Sequence, residues 1–162
     1  MVAWRDLRRV LARALRSRRA ELWFSARAWL LAPAVQGALR TLGVRRTLRA
    51  ISVVRRPSFL GRRSRGSLDL AEGARCVDRA YAVHAVRGEC LPRASVQHLL
   101  HRIDGTPSSL VIGVRVNQAP RPGNDLGMEA HAWVAPPDSP IGLDGFAVMM
   151  VLDDRGIRPA SL

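Results

Sequence analysis

The sequence predicts an α+β fold, with helices first and a small antiparallel sheet after them. Three observations carry this. Apolar residues recur at helical spacing through the first third of the chain. A segment with proline in its first turn, Leu91 to Ile103, has the pattern of a helix whose apolar face is Leu91, Ala94, Leu99 and Leu100. Beyond it the period shortens to β-branched runs separated by Pro- and Gly-rich turns. With 162 residues, 48 % apolar and 24 % charged, the chain suits one compact body with its own core.

Taken in order, Trp4, Leu7, Leu11, Ala14 and Leu15 form an apolar stripe with arginines between them. After a basic break at Arg16 to Arg19 the stripe resumes with Leu22, Ala26, Trp29 and Leu30. This predicts one long helix, or two, ending before Pro33. Trp4, Trp23 and Trp29 fall near the stripe, so a packing role is expected of them. Val35 to Leu42 reads as a further helix stopped by Gly43, and Arg45 to Val54 as another. The basic, Pro- and Gly-bearing stretch 55–66 reads as a loop. Asp69 to Val86 is expected to be helical despite Gly73, and Asp104-Gly105 ends the helix over 91–103. Ser109 to Val116 and Ala130 to Ala135 read as strands with a loop at 119–127 between them. Pro136 to Ser139 is a tight connection, and Ile141 to Leu152 one or two strands.

The net charge is +13, all 26 basic residues being arginine. Residues 1–65 hold 17 Arg against Asp6 and Glu21, a charge of +15, whereas 66–162 hold 9 Arg against 11 acids, a charge of −2. The division expected is a basic α-helical N-terminal region, 1–65, that meets something anionic, and a near-neutral catalytic body, 66–162. Two cysteines, Cys76 and Cys90, make no disulfide framework. Arginine interrupts the N-terminal apolar positions, so no signal peptide is read there, and 28–39 is too short and broken for a membrane span. A cytoplasmic, reducing location is expected, where a free thiol persists.

Cys90 directly precedes a helix beginning at Leu91 or Pro92. A helix start sets partial positive charge and free N–H groups beside the sulfur, favouring the nucleophilic thiolate. A lone cysteine is as a rule buried and inert, so a base is needed to give it meaning. His131, between Ala130 and Ala132 in a predicted strand, supplies one. If 136–139 form a four-residue hairpin loop, Ala135 pairs with Pro140 and His131 with Asp144. Directly opposed side chains lie about 4.5–5.5 Å apart at Cβ, which suits a carboxylate orienting an imidazole. Asp138 falls in the loop and reads as a turn residue. His84, His98 and His101 read as surface or packed histidines. No metal is expected, since the cysteines are fourteen apart with neither C-x-x-C nor H-E-x-x-H present, and no Gly-rich phosphate loop marks a nucleotide cofactor.

Three stretches in order carry a resemblance: G-E-C-L-P-R-A from Gly88, L-L-H-R-I-D-G-T-P-S-S-L-V-I-G-V from Leu99, and A-H-A-W-V from Ala130. Together they resemble the lasso-peptide B-protein family, leader peptidases in the transglutaminase-like branch of the papain-type cysteine peptidases. The resemblance covers about 69–145 and implies a papain/transglutaminase-like core, a helix carrying the cysteine at its N-terminus packed on a small antiparallel sheet. Carried over, the family nucleophile falls on Cys90, its histidine on His131 and its acid on Asp144. With no run of alternating strands in the N-terminal region, the chain is similar to the split, peptidase-only form. That form implies a precursor (leader) peptide as substrate, a separate small leader-recognition protein, and an ATP-dependent macrocyclase acting next. No cofactor is implied.

Two other classes of function compete. Residues 1–65 could bind nucleic acid or an anionic membrane surface as basic amphipathic helices, although aromatic–basic interleaving of the kind that stacks bases is missing. A transglutaminase-like site can also pass its acyl group to an amine instead of water, which makes an acyltransferase the third reading.

Overall fold

The computed structural model describes residues 3–54, 68–83, 89–116, 128–137 and 145–159, with side chains from Arg18 onward. Four helices precede four strands: α1 (Ala3–Thr41), α2 (Val44–Val53), α3 (Leu70–Ala82), α4 (Cys90–Asp104), β1 (Ser109–Val116), β2 (Met128–Ala135), β3 (Ala147–Asp153) and β4 (Gly156–Pro159). The predicted α+β order is therefore present. Predicted loops at 55–66 and 119–127 lie outside the described residues, as do His84, Asp138 and Asp144.

The long N-terminal helix does not end before Pro33. It continues to Thr41 and absorbs the separate helix expected at 35–42. An interior proline removes one helical hydrogen bond and costs about 3 kcal/mol. Burial on both sides of it offsets that cost: Phe24, Ala28, Ala32 and Val35 line one face of α1 and all enter the core. Pro33 itself is on the exposed side.

The face of α1 that packs is also not the one expected. Leu22, Trp23 and Leu30 are each about two-thirds exposed, while Ala28 and Ala32 are fully buried. The small-residue face wins because it lets α3 and α4 approach closely. At Gly73 of α3 a Cβ would sit 2.4 Å from His101 Nε2 and 3.4 Å from the Phe24 ring, so only glycine fits there. Phe24 and His101 rings lie 5.3 Å apart in the gap this leaves. The core is thus shared across residue 65, drawing on α1, α2, α3, α4 and the sheet.

Polar ties fix the helix ends. Asp69 and Glu72 form a reciprocal capping box at the start of α3, with bonds of 2.7 and 3.1 Å. Asp104, unfavourably placed for a carboxylate at the C-terminal end of α4, takes a bidentate pair from Arg27 of α1 at 2.8 and 2.7 Å. The nearly buried Arg102 guanidinium donates to the Ser52 and Val54 carbonyls at the end of α2 and to Asp154 in the β3–β4 turn. Gly105 closes α4 in the left-handed region at φ 72°.

The sheet order is β2-β1-β3-β4, antiparallel throughout. The hairpin register expected to set His131 opposite Asp144 falls on residues 140–144, outside the described residues, but the strand described beyond the turn does not join β2. β2 and β3 do not pair; β1 lies between them, and His131 is opposite Gly113. The reason is burial. β1 (SLVIGVRV) is the most β-branched and best buried strand, and it gains most from having both edges covered. β4 has no counterpart in the predicted elements; a short turn through Asp154 and Arg155 returns the chain to pair Asp153 with Gly156. Among the described residues no helix is long and apolar enough to cross a membrane.

Candidate active site

Cys90 is the first residue of α4, a half-buried free thiol, whereas Cys76 is buried within α3. Helix geometry gives the Cys90 and Leu91 N–H groups no intrahelical partner, and Pro92 has no N–H to offer. Glu89 precedes them without a side-chain cap. The backbone at the sulfur therefore keeps its donors for something other than the helix.

β2 brings the histidine. The Cys90 thiol lies 3.9 Å from the carbonyl oxygen of Ala130, the residue before His131. Residues that far apart in sequence, 90 and 131, line one cleft of about 690 Å³. Its walls come from one face of α3 (Leu70, Ala71, Ala74, Asp78), the first two turns of α4 (Cys90, Arg93, Ala94, Gln97) and β2 from His131 to Val134. α3 and α4 run antiparallel here: Gln97 Nε2 donates to the Leu70 carbonyl at 2.8 Å, and Arg93 pairs with Asp78 at 3.3 Å. Gln97 thus serves as a tie between the two helices.

Aromatic packing frames the imidazole. His131 and Trp133, two apart on one strand and so on one face, stack with centroids 6.0 Å apart and planes at 19°. Phe146 lies 5.6 Å from His131 and 6.0 Å from Trp133. Arg115 covers the Phe146 ring at 4.8 Å and is held by Glu129, its cross-strand partner, at 2.8 Å. Trp133 lies over Gly113, where a Cβ would come within 2.9 Å of the indole. Neither the aromatic frame nor the role of Gly113 was anticipated from sequence; the A-H-A-W-V run places Trp133 beside His131, but Phe146 arrives from beyond the turn. Asp144 is two residues before Phe146 in the chain.

His98 and His101 are packed residues of the core, both fully buried. Burial, with Arg102 and His101 nearby, pushes His98 down to about 3, and its Nδ1 lies 3.0 Å from Ser108 Oγ. Burial likewise lowers His101 to about 4, partly opposed by Asp104. Neither shares the cleft with Cys90. Among the described residues no group of three His, Cys, Asp or Glu side chains is placed to hold a metal ion.

A thiol at a helix start, a histidine strand alongside and an open cleft between them are the parts of a nucleophilic acyl-transfer site. No curated protein and no solved structure matches the chain significantly. A family model does, over residues 34–151, and its superfamily commonly carries cysteine-peptidase or acyltransferase activity. From the last two turns of α1 to β3, the chain belongs to the transglutaminase-like superfamily.

Proposed function

We propose that the chain is a cysteine peptidase that removes the leader from a ribosomally made lasso-peptide precursor. The observation that carries the reading is the placement of Cys90 at the start of α4 against the strand of His131, with its sulfur 3.9 Å from the Ala130 carbonyl in a shared cleft. The motif resemblance over 69–145 supplies the substrate class.

In this reading the Cys90 thiolate attacks the scissile carbonyl, and the Cys90 backbone N–H steadies the oxyanion. His131 gives its proton to the departing amine of the core peptide, leaving the leader as a thioester on the sulfur. Water then attacks the thioester, His131 takes its proton, and the thiol is restored. Asp144 fixes the tautomer of His131. A small leader-recognition protein delivers the precursor, and an ATP-dependent macrocyclase uses the freed amine. If an amine replaces water in the second step, the same site is an acyltransferase.

The test is incubation of the precursor and recognition protein with the chain, read by mass spectrometry. Free leader and free core are expected with the wild type and neither with Cys90→Ala. Intact precursor throughout would sink the reading, and leader appearing as an amide of an added amine would make the enzyme a transferase.

A further inference from the structure

One charged side chain in the cleft has no part in the mechanism above. Arg93 follows Cys90 by three residues on α4, so the two Cβ atoms are helix neighbours about 5–6 Å apart. Both line the cleft. The guanidinium rests over the Tyr81 ring, 5.5 Å from its centroid, which holds the fork in place. Tyr81 is itself buried, with its hydroxyl pushed up to about 12 by burial, so its ring is a neutral platform.

The guanidinium's anionic partner is loosely held. Asp78 accepts a single bond at 3.3 Å, and its side chain is 63 % exposed. An exposed one-point pair of this kind contributes little, whereas a guanidinium fork matches a carboxylate through two parallel bonds. The contrast with Arg27 is direct, since Arg27 already makes that two-point pair with Asp104. Arg93 Nε has no partner among the described residues.

We propose that Arg93 is a specificity-determining residue that takes a carboxylate of the bound substrate beside the scissile bond, displacing Asp78. The substrate class this selects is a peptide with an acidic group, side-chain or terminal, within a residue or two of the cleavage point. The inference rests on the peptidase reading for its biological meaning, but the anion subsite can be measured without it. Exchange of partners needs no movement of the helices, because Arg93 stays on Tyr81 and only Asp78 turns to solvent.

Two reagents that differ in one charge separate the possibilities. Iodoacetate and iodoacetamide both alkylate a thiolate, so the ratio of their rates at Cys90 cancels any change in the thiolate itself. In the full chain at about 0.15 M salt, where free charges are screened beyond about 8 Å, Arg93→Gln should lower the iodoacetate-to-iodoacetamide ratio about tenfold, the factor for 1.4 kcal/mol. Arg49→Gln, an equal loss of charge on the exposed face of α2, should change it far less, and Asp78→Asn should raise it. Arg93→Lys, which keeps charge and loses the fork, should fall between, and it serves if the glutamine variant fails to fold.

Slower iodoacetamide labelling in the presence of the amide of N-acetylglutamic acid assigns the subsite to a side-chain carboxylate; slowing by N-acetylglycine assigns it to a chain terminus. A ratio that moves no more in Arg93→Gln than in Arg49→Gln overturns the inference, as does a Cys90 that reacts with neither reagent. A shifted ratio with no precursor cleavage would remove the peptidase reading and leave the subsite standing. Normal cleavage with an unshifted ratio would do the reverse.

Discussion

His131 lies directly opposite Gly113 across the β1–β2 ladder. The missing side chain at 113 leaves room for Trp133, which stacks beside the imidazole and closes on Phe146. A β-bulge between Ile112 and Gly113 on the other edge of β1 sets the register to β3 at the same point. The surroundings of the proposed base are therefore shaped by a residue on a different strand that does not line the cleft.

Gly113→Ala tests this. The new Cβ would stand 2.9 Å from the indole and 3.0 Å from the Ala147 carbonyl, and the backbone oxygen cannot swing away. Overpacking of this kind costs about 1–3 kcal/mol. Urea unfolding should show that loss, and cleavage should fall further than a remote variant of equal instability. Unchanged stability together with full activity would mean Trp133 does not fix His131.

Gly73→Ala should be worse. Its Cβ would lie 2.4 Å from Nε2 of the fully buried His101 and 3.4 Å from the Phe24 ring, where α3 meets α4 and α1. A loss of at least about 2–3 kcal/mol is expected, read as a fall in Tm. A Tm equal to that of the wild type would show that His101 can yield.

Much of this was legible locally. The limits of β1 match the run SLVIGVRV, because β-branched residues declare a strand without outside help. The start of α4, at Cys90 and so just before the Leu91 or Pro92 expected, follows closely from Pro92, and its end at Gly105 from the Asp104-Gly105 pair. What failed depended on partners. Leu22 and Leu30 look like a core face until α3 is present, whose Gly73 selects the small side of α1. The proline at 33 looks like a stop until the buried residues beyond it, such as Val35, are counted. The expected pairing of His131 with Asp144 falls outside the described residues, and the strand described beyond the turn, β3, pairs with β1 and not with β2.

Acid should weaken the fold through the buried imidazoles. His98 and His101 are held near 3 and 4, against about 6.5 when unfolded. Between roughly pH 6.5 and 4 the unfolded chain binds protons that the folded chain refuses, so stability is highest above that window and falls as pH drops through it. At pH 5 each histidine contributes a loss of about 2 kcal/mol relative to neutral pH. Urea unfolding at pH 7 and pH 5 should show the difference, and His98→Asn should reduce it. An equal slope in that variant would place the acid sensitivity elsewhere.

For the orienting acid, Asp144→Asn should impair cleavage clearly while Asp138→Asn leaves it near normal. His131→Ala should be as inactive as Cys90→Ala, since residues acting as one unit are not additive. Near-normal turnover in both aspartate variants would remove Asp144 from the mechanism.

The central claim is that Cys90 carries the acyl group, and the intact mass of the chain during turnover tests it most directly. With precursor and its recognition protein present, rapid acid quench should reveal an adduct of leader mass on the peptide containing Cys90, labile to hydroxylamine as a thioester is. Cys76→Ala should still form it, and Cys90→Ala should form none and release no leader. An adduct on Cys76, or free leader produced by Cys90→Ala at the wild-type rate, would contradict the account.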